Sequence, residues 1–235
     1  MAKIEGVAPA QPRAKRWAWS YSKLKNYEVC PRRHYEVDLA RTYVETKEPG
    51  GPLDWGDRVH YSMARACAGT EELPAEMGAY QRWVDRVRKG PGQLLIEQKY
   101  AINDQFQPRP YFAPDVWYRG IGDIIRLHEE FALVLDWKTG KILEDSVQLM
   151  LMAQCIFSYY PQVQFIRSEF VWLKDDCSSP EQFTRKEVAE QWVTLMGRVN
   201  ALEAAHTTQS YPARPNHLCK SYCPVASCPH WKKGR

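Results

Sequence analysis

The stretch from Tyr118 to Gly140, YRGIGDIIRLHEEFALVLDWKTG, constrains the fold more than any other part of the chain. Two apolar runs flank the polar turn at residues 128–130 and predict a buried hairpin. Residues two apart on a strand point to the same face of a sheet, so Asp136 and Lys138 can share one site, and Asp123 on the neighbouring strand can meet them there. Two carboxylates and a lysine suit a divalent metal and phosphate chemistry. A salt bridge between Asp136 and a distant arginine is the alternative.

Length and composition limit the class of protein. The chain has 235 residues, of which 44% are hydrophobic, enough for one sizeable α/β domain or a domain with a small appendage. The net charge of +4 permits nucleic-acid binding without requiring it. The sequence shows no membrane span and no apolar signal core near its N-terminus, so we expect a cytoplasmic protein with its seven cysteines in a reducing compartment. Clustered cysteines there more often bind a metal or a cluster than form disulfides.

The apolar pattern predicts a mixed β-sheet flanked by helices, an α/β fold. The predicted strands are Leu94–Ile102, Val116–Leu127, Phe131–Lys138 and Val163–Leu173. The first predicted helix begins at a cap on Ser20 or Ser22, is interrupted at Pro31 and resumes from His34 to Leu39. Four further helices are predicted, at Leu53–Ala68, Ala75–Val87, Ser146–Tyr160 and Thr184–Ala205. We expect residues 1–17 to be a flexible basic segment, residues 18–211 to be the main domain, and residues 212–235 to be a cysteine-rich tail.

The cysteines form a second group of candidate ligands. Three of them lie within ten residues near the C-terminus, with two histidines nearby: Cys219, Cys223, Cys228, His217 and His230. They need a fourth ligand, and Cys30, which also precedes a proline, is the natural candidate. Four cysteines suit a [4Fe–4S] cluster or a tetrahedral zinc ion, whereas three cysteines with a histidine favour zinc.

Taken in order, these residues resemble the PD-(D/E)XK nuclease superfamily, in particular the RecB-type branch with its CRISPR-associated adaptation exonucleases and AddB-type iron–sulfur nucleases. The matching positions, from about Ser20 to Cys228, are Cys30 in the opening segment, His60 of G-x-x-x-H, Asp123 of G-x-x-D, Asp136-Trp137-Lys138 of D/E-x-K, Gln148 of Q-x-x-x-Y, and the three late cysteines. Two departures stand out. Met152 replaces the tyrosine of Q-x-x-x-Y, and three and then four residues separate the late cysteines, where two and five are commoner in the family.

The resemblance implies a restriction-endonuclease-like core and a metal-dependent deoxyribonuclease, more narrowly an exonuclease. His60, Asp123, Asp136 and the carbonyl of Trp137 would hold Mg²⁺ or Mn²⁺. Lys138 would orient the attacking water and offset negative charge. Two further residues would have supporting roles: Gln148 would position Lys138 or the nucleophile, and Glu97 would assist beside the metal or at a second metal, unless it simply faces solvent. A [4Fe–4S] cluster on Cys30, Cys219, Cys223 and Cys228, or alternatively zinc, would be a structural clip.

The resemblance also implies DNA as the substrate, as single strands or duplex ends, and partners of the recombination, helicase or CRISPR type. It implies no membrane, leaves an oligomer open, and places the protein in a prokaryotic or virus-infected cell. Four aromatic residues could stack on bases, although packing in the core is the commoner role: Tyr111, Phe112, Trp117 and Tyr118. The competing hypotheses are a catalytically silent nucleic-acid-binding accessory protein with the same fold and a zinc-binding interaction module.

Overall fold

The computed structural model describes residues 17–44, 47–142, 145–220 and 222–232. The strands are β1 (Gln93–Ile102), β2 (Tyr118–His128), β3 (Phe131–Lys138), β4 (Phe165–Trp172) and β5 (Cys177–Thr184). The α-helices are α1 (Tyr21–Val29), α2 (Pro31–His34), α3 (Pro52–Ala68), α4 (Gln81–Lys89), α5 (Val147–Tyr159) and α6 (Arg185–Thr208). The predicted flexible segment 1–17, apart from its last residue, lies outside the described residues.

The five strands form one mixed sheet in the order β1-β2-β3-β4-β5. All neighbouring pairs are antiparallel except β3 and β4, which are parallel and are joined through α5. The predicted mixed sheet flanked by helices is therefore confirmed. Among the helices of the described residues, none has both the length and the apolar character needed to cross a membrane.

The strand β5 was missing from the sequence prediction. Its sequence, CSSPEQFT, is largely polar and contains Pro180, and most of its side chains are exposed or half-buried. An edge strand tolerates both features. Its outer edge is not paired with another strand, so polar side chains can reach solvent and the missing N–H group of proline leaves no gap in the hydrogen-bond ladder. The alternation of apolar residues that reveals a buried strand is therefore absent here.

Two predicted helices take a different form. The predicted helix at residues 75–87 is a 3₁₀-helix at Ala75–Tyr80 followed by α4, and Gly78 lies inside the 3₁₀ segment, where glycine disfavours a continuous α-helix. The segment predicted to resume at His34 is already helical from Pro31, and it ends in a π-helical turn at Tyr35–Leu39. Proline fits the first turn of α2 because no helical partner is needed for its nitrogen there.

The sheet separates two apolar layers. Ile125 and Val134 point into the layer formed with α1, α5 and α6, whereas their neighbours Ile124 and Leu135 point into the layer formed with α3 and α4. This alternation is the period of two expected for strands that are covered on both faces. The two central strands, β2 and β3, are consequently anchored from both sides, and so are the side chains at their ends.

A buried carboxylate ties α4 to the sheet, and it provides a test of this packing. Glu169 is fully buried on β4, and its two oxygens accept hydrogen bonds from Arg86 of α4 at 3.2 and 3.0 Å and from Arg167 at 2.7 Å. Burial alone would raise the pKa of Glu169, but the arginine contacts outweigh it and lower the pKa.

We expect Glu169→Gln to reduce the free energy of unfolding by about 1–3 kcal/mol, because a buried charged hydrogen-bond network loses its acceptor charge. A carboxylate with a lowered pKa stabilises the fold above its unfolded pKa, so the deficit should shrink as the pH falls through about 4.5 towards the folded pKa. Urea denaturation measures both effects. Glu190→Gln, at an exposed position paired only with Lys186, is the control and should change stability by less than about 0.5 kcal/mol. Equal stabilities of Glu169→Gln and wild type would contradict the expectation.

Candidate functional site

The candidate site lies where the β2–β3 hairpin opens. The last paired residues of the two strands are Ile124 and Leu135. Beyond them the backbone N–H of Trp137 donates to Oδ2 of Asp123 at 2.8 Å, so a carboxylate takes the place of a backbone acceptor. Asp123 and Asp136 are both buried, each with 8% of its surface exposed. The structure thus brings together the two acids that the sequence pattern placed on neighbouring strands.

Gln148, in the first turn of α5, joins Asp136 to Lys138. Its amide nitrogen Nε2 donates to Oδ1 of Asp136 at 2.7 Å, and its oxygen Oε1 accepts from Nζ of Lys138 at 2.9 Å. Nζ of Lys138 also lies 2.5 Å from Oδ2 of Asp136. The three side chains therefore hold one another in place, with Gln148 in direct contact with Lys138.

The electrostatics of Asp136 are unfavourable without a further cation. Its Oδ2 atom is buried and, among the described residues, accepts no hydrogen bond of proper geometry. Burial and the negative charge of Asp123 raise the pKa of Asp136 to about 6, and the contact with Lys138 offsets only part of this shift. A buried carboxylate with an unsatisfied oxygen beside a second carboxylate is a donor set that fits a divalent metal ion.

His60 reaches the site from α3. Its Nδ1 atom lies 3.3 Å from Oδ2 of Asp123, on the side opposite to α5. Burial lowers the pKa of His60, but the contact with Asp123 and the charges of Asp136 and Glu97 outweigh it, so the pKa is raised overall. An imidazole that faces three carboxylates is well placed to become a metal ligand once a cation replaces its proton.

Glu97 is the residue whose importance the sequence pattern understated. His60, Glu97 and Asp123 offer ligand atoms that all lie within 4.8 Å of one another. The pairing of β1 with β2 has the same register on both sides of Glu97, which places Glu97 opposite Asp123. The backbone at Glu97 has a φ angle of +49°, a left-handed conformation that is strained for a non-glycine residue within a strand.

This geometry adds the exposed Glu97 to the candidate ligands. The sequence predicted His60, Asp123 and Asp136, with Glu97 in a supporting role or facing solvent. In the described residues the compact group is His60, Glu97 and Asp123, and Asp136 lies beside it, engaged with Lys138 and Gln148. The signal available in the sequence was a single glutamate within the otherwise apolar start of a strand, LLIEQ. The side chain of Trp137 is buried against α3 and α4, so only its backbone is available to the site.

The four candidate cysteine ligands meet at the opposite end of α1. Cys30, between α1 and α2, lines one pocket together with Cys219, Cys223 and Cys228. The backbone N–H of Arg214 donates to Sγ of Cys30 at 3.3 Å, and that of Asn216 donates to Sγ of Cys219 at 3.4 Å. N–H groups directed at sulfur are typical of cysteines that carry a thiolate charge in a metal or cluster site.

The tail that carries the three late cysteines is fixed against α1. The side chain of Asn216 also donates to the carbonyl of Val29 at 3.1 Å, which fixes the tail against α1.

A family model of the PD-(D/E)XK nuclease superfamily matches residues 18–229. The chain belongs to this superfamily. The matched range includes the hairpin acids, Lys138 and the late cysteines, and the superfamily indicates a metal-dependent nuclease. The crystal structure of SSO0001 is also similar, with 14% sequence identity over 95% of this chain and 91% of that chain and a TM-score of 0.42. No curated protein matches the chain.

The raised pKa of Asp136 leads to a prediction for the metal-free protein. In EDTA at pH 8, we expect Asp136→Asn to raise the free energy of unfolding by about 1–3 kcal/mol, because the amide removes a buried charge facing Asp123. A group whose folded pKa of about 6 exceeds its ordinary 3.8 destabilises the folded state when ionised, so the gain should be largest above pH 6 and smaller at pH 5.

Thermal melts at pH 5 and pH 8 measure this difference, and addition of Mn²⁺ provides the control. A bound metal stabilises the wild type by mass action, and it should raise the melting temperature of Asp136→Asn much less. If the variant is less stable than wild type at both pH values, the ionised Asp136 does not destabilise the metal-free folded state.

Proposed function

We propose that this chain is a metal-dependent deoxyribonuclease of the RecB-type branch, and more narrowly an exonuclease that hydrolyses phosphodiester bonds at strand ends. The observation that carries the proposal is the buried pair Asp123 and Asp136 at the open end of the hairpin, with Lys138 paired to Asp136. Superfamily membership supports the nuclease class, and the narrower assignment is ours.

His60, Asp123 and Asp136 would hold Mg²⁺ or Mn²⁺, with Glu97 and the backbone carbonyl of Trp137 as further candidate ligands. When bound, the ion would lower the pKa of a water molecule and stabilise charge on the scissile phosphate. Oxygen ligands suit Mg²⁺, whereas the imidazole of His60 tilts the preference towards Mn²⁺.

The residues around the acids supply the rest of the chemistry. Lys138 carries a positive charge beside the site and would orient the attacking water and offset the negative charge that develops on the phosphate. Gln148 contacts both Lys138 and Asp136, so it restricts the ammonium group to one position. Such preorganisation costs no rearrangement at the moment of reaction, which is why small displacements of Lys138 should reduce the rate strongly.

The proposed substrate is DNA. A cleft of about 670 Å³ leads to the acids and is lined by Asp123, Asp136 and the cations Lys23, Lys25 and Arg119. Positive charge along a groove that ends in metal-binding carboxylates suits a polyanionic strand whose backbone must reach the metal. We also propose a cytoplasmic location in a prokaryotic or virus-infected cell, where a helicase, recombination or CRISPR-type partner would supply unwound ends, because the sequence contains no G-x-x-x-x-G-K-[ST] motif.

A cleavage assay tests the proposal. We expect DNA labelled at either end to be degraded with Mn²⁺ or Mg²⁺ but not with EDTA, and the labelled end gives the polarity. Asp136→Ala should abolish cleavage. Lys138→Met should reduce the rate by about 10²–10³-fold while the variant keeps the rise in melting temperature produced by Mn²⁺. Lys186→Met, at an exposed position on α6, is the matched control. A folded wild type that binds Mn²⁺ but cleaves no DNA would favour the catalytically silent accessory protein.

We propose in addition that Cys30, Cys219, Cys223 and Cys228 hold a structural [4Fe–4S] cluster, so that residues 212–235 complete a site begun by the nuclease domain of residues 18–211. The support is the shared pocket and the two N–H groups directed at sulfur. Such a clip would join an early helix to the end of the chain and restrict the unfolded state.

Metal analysis of Cys223→Ala tests the cluster. We expect the purified wild type to be brown and to contain iron and acid-labile sulfide. Cys223→Ala should lose both and melt at a temperature lower by on the order of 10 °C. Cys177→Ala, at an exposed cysteine on β5, should retain the colour and the melting temperature. Stoichiometric zinc without sulfide in the wild type would overturn the cluster and favour the zinc-binding alternative.

A further inference from the structure

Two aromatic residues lie side by side in the loop between β1 and β2: the half-buried Tyr111, which lines the cleft, and the exposed Phe112. Phe112 has 80% of its surface exposed, the highest value among the large hydrophobic residues of the described chain, together with Val193. Its neighbour Tyr111 packs on the small apolar group of Ala18, Ala101 and Val116. The two rings are perpendicular with centroids 5.1 Å apart. The tyrosine is thus anchored in the protein, and it supports a phenylalanine that is open to solvent.

The other two aromatic residues of this region are not available to a ligand in the same way. Trp117 and Tyr118 are buried in the layer formed with α5 and α6. The expectation that all four aromatic residues could stack on bases is therefore reduced to Tyr111 and Phe112. A phenylalanine kept in water costs free energy unless something covers it.

A cation without an anionic partner lies beside the pair. The guanidinium carbon of Arg119 lies 5.3 Å from the ring centroid of Tyr111 and 5.6 Å from that of Phe112. Its Nε atom is buried without a hydrogen-bond partner, and Arg119 makes no ion pair within the described residues. Burial and the nearby charge of Arg119 lower the pKa of Lys23 across the cleft. Two cations that face one cleft and repel each other form a favourable place for a phosphate.

Tyr111 of the aromatic pair and the acids belong to the same cleft. Tyr111, Arg119, Asp123 and Asp136 all line it. Arg119 precedes Asp123 by four residues on β2, a distance of about 13 Å along a strand. A stacked DNA strand rises about 3.4 Å along its axis per nucleotide, so this distance corresponds to an axial rise of about four nucleotides, or fewer if the strand is stretched.

We propose that Tyr111, Phe112 and Arg119 form a platform that selects an unpaired DNA strand, with Phe112 stacked on a base and Arg119 on a backbone phosphate. The inference rests on the proposed nuclease function and adds the form of its substrate. In a duplex each base face is covered by its neighbours, whereas an unpaired base offers its face to an aromatic ring. The platform would therefore discriminate by the state of the strand and not by its sequence.

Binding in EDTA, where no cleavage occurs, tests the platform. The probes are a fluorescent 12-nucleotide single strand and a blunt hairpin duplex. We expect Phe112→Ala to weaken single-strand binding by about tenfold and to leave duplex binding unchanged, and Phe112→Trp to restore it. Arg119→Gln should weaken binding and reduce the slope of log affinity against log salt by about one, whereas Arg119→Lys should keep the slope. The control is Phe165→Ala, a residue 58% exposed on β4 that does not line the cleft.

The outcomes separate this inference from the proposed function. If the wild type degrades DNA but Phe112→Ala binds single strands as tightly as wild type, the platform is wrong and the nuclease remains. If Phe112→Ala loses the same affinity for single strand and duplex, the platform is also overturned, because the two aromatic residues would then contribute equally to binding of either form of DNA. If the wild type with Mn²⁺ neither binds nor cleaves any of the probes, the proposed function itself fails.

Discussion

The hydrogen bond from the backbone N–H of Trp137 to the carboxylate of Asp123 is the interaction on which the site depends. Two strands that pair as far as Ile124 and Leu135 must separate to leave room for a ligand, and separation leaves backbone donors without partners. A side-chain carboxylate solves both problems at once, because it satisfies the donor and keeps its second oxygen for the site. The hairpin can therefore open inside a buried sheet without an unpaired N–H group at Trp137.

The cost of this solution is a second carboxylate in the same buried place. Asp136 faces Asp123. The positive charge of Lys138, the hydrogen bond from Gln148 and the nearby His60 offset part of the repulsion between the two carboxylates, and a bound cation would offset the rest. Glu97 adds a third acid under backbone strain, at a φ angle of +49°. Strain and repulsion of this kind persist only where the surrounding sheet and helices hold the backbone, and they are recovered when a cation binds.

The buried hairpin and the helix α6 could be predicted because their apolar residues recur with the periods of a strand and a helix, and D-x-K placed Asp136 and Lys138 on one face without any structure. The rest depended on tertiary structure. Pro180 and the polar residues of β5 carry no strand pattern, since an edge strand is specified by its neighbour. The inclusion of Glu97 depends on a register in which it lies opposite Asp123 and on a left-handed backbone, neither of which a local pattern encodes. Phe112 and Trp117 are aromatic residues in the same polar, proline-rich segment, and no local pattern distinguishes them. Trp117 is buried because α5 and α6 pack on it, whereas Phe112 is exposed.

The helix α1 connects the two ends of the molecule that carry chemistry. Its first turn lines the cleft, and Tyr21 and Lys25 bond to Oδ2 of Asp145 at 2.8 and 3.0 Å, while Oδ1 of Asp145 accepts from the backbone of Val147 at the start of α5, next to Gln148. Its last residue precedes Cys30, and Arg198 of α6 holds Glu28 through two hydrogen bonds of 2.5 and 2.9 Å. The proposed clip at Cys30 would therefore act on the same helix that lines the cleft and that contacts Asp145, just before α5 begins.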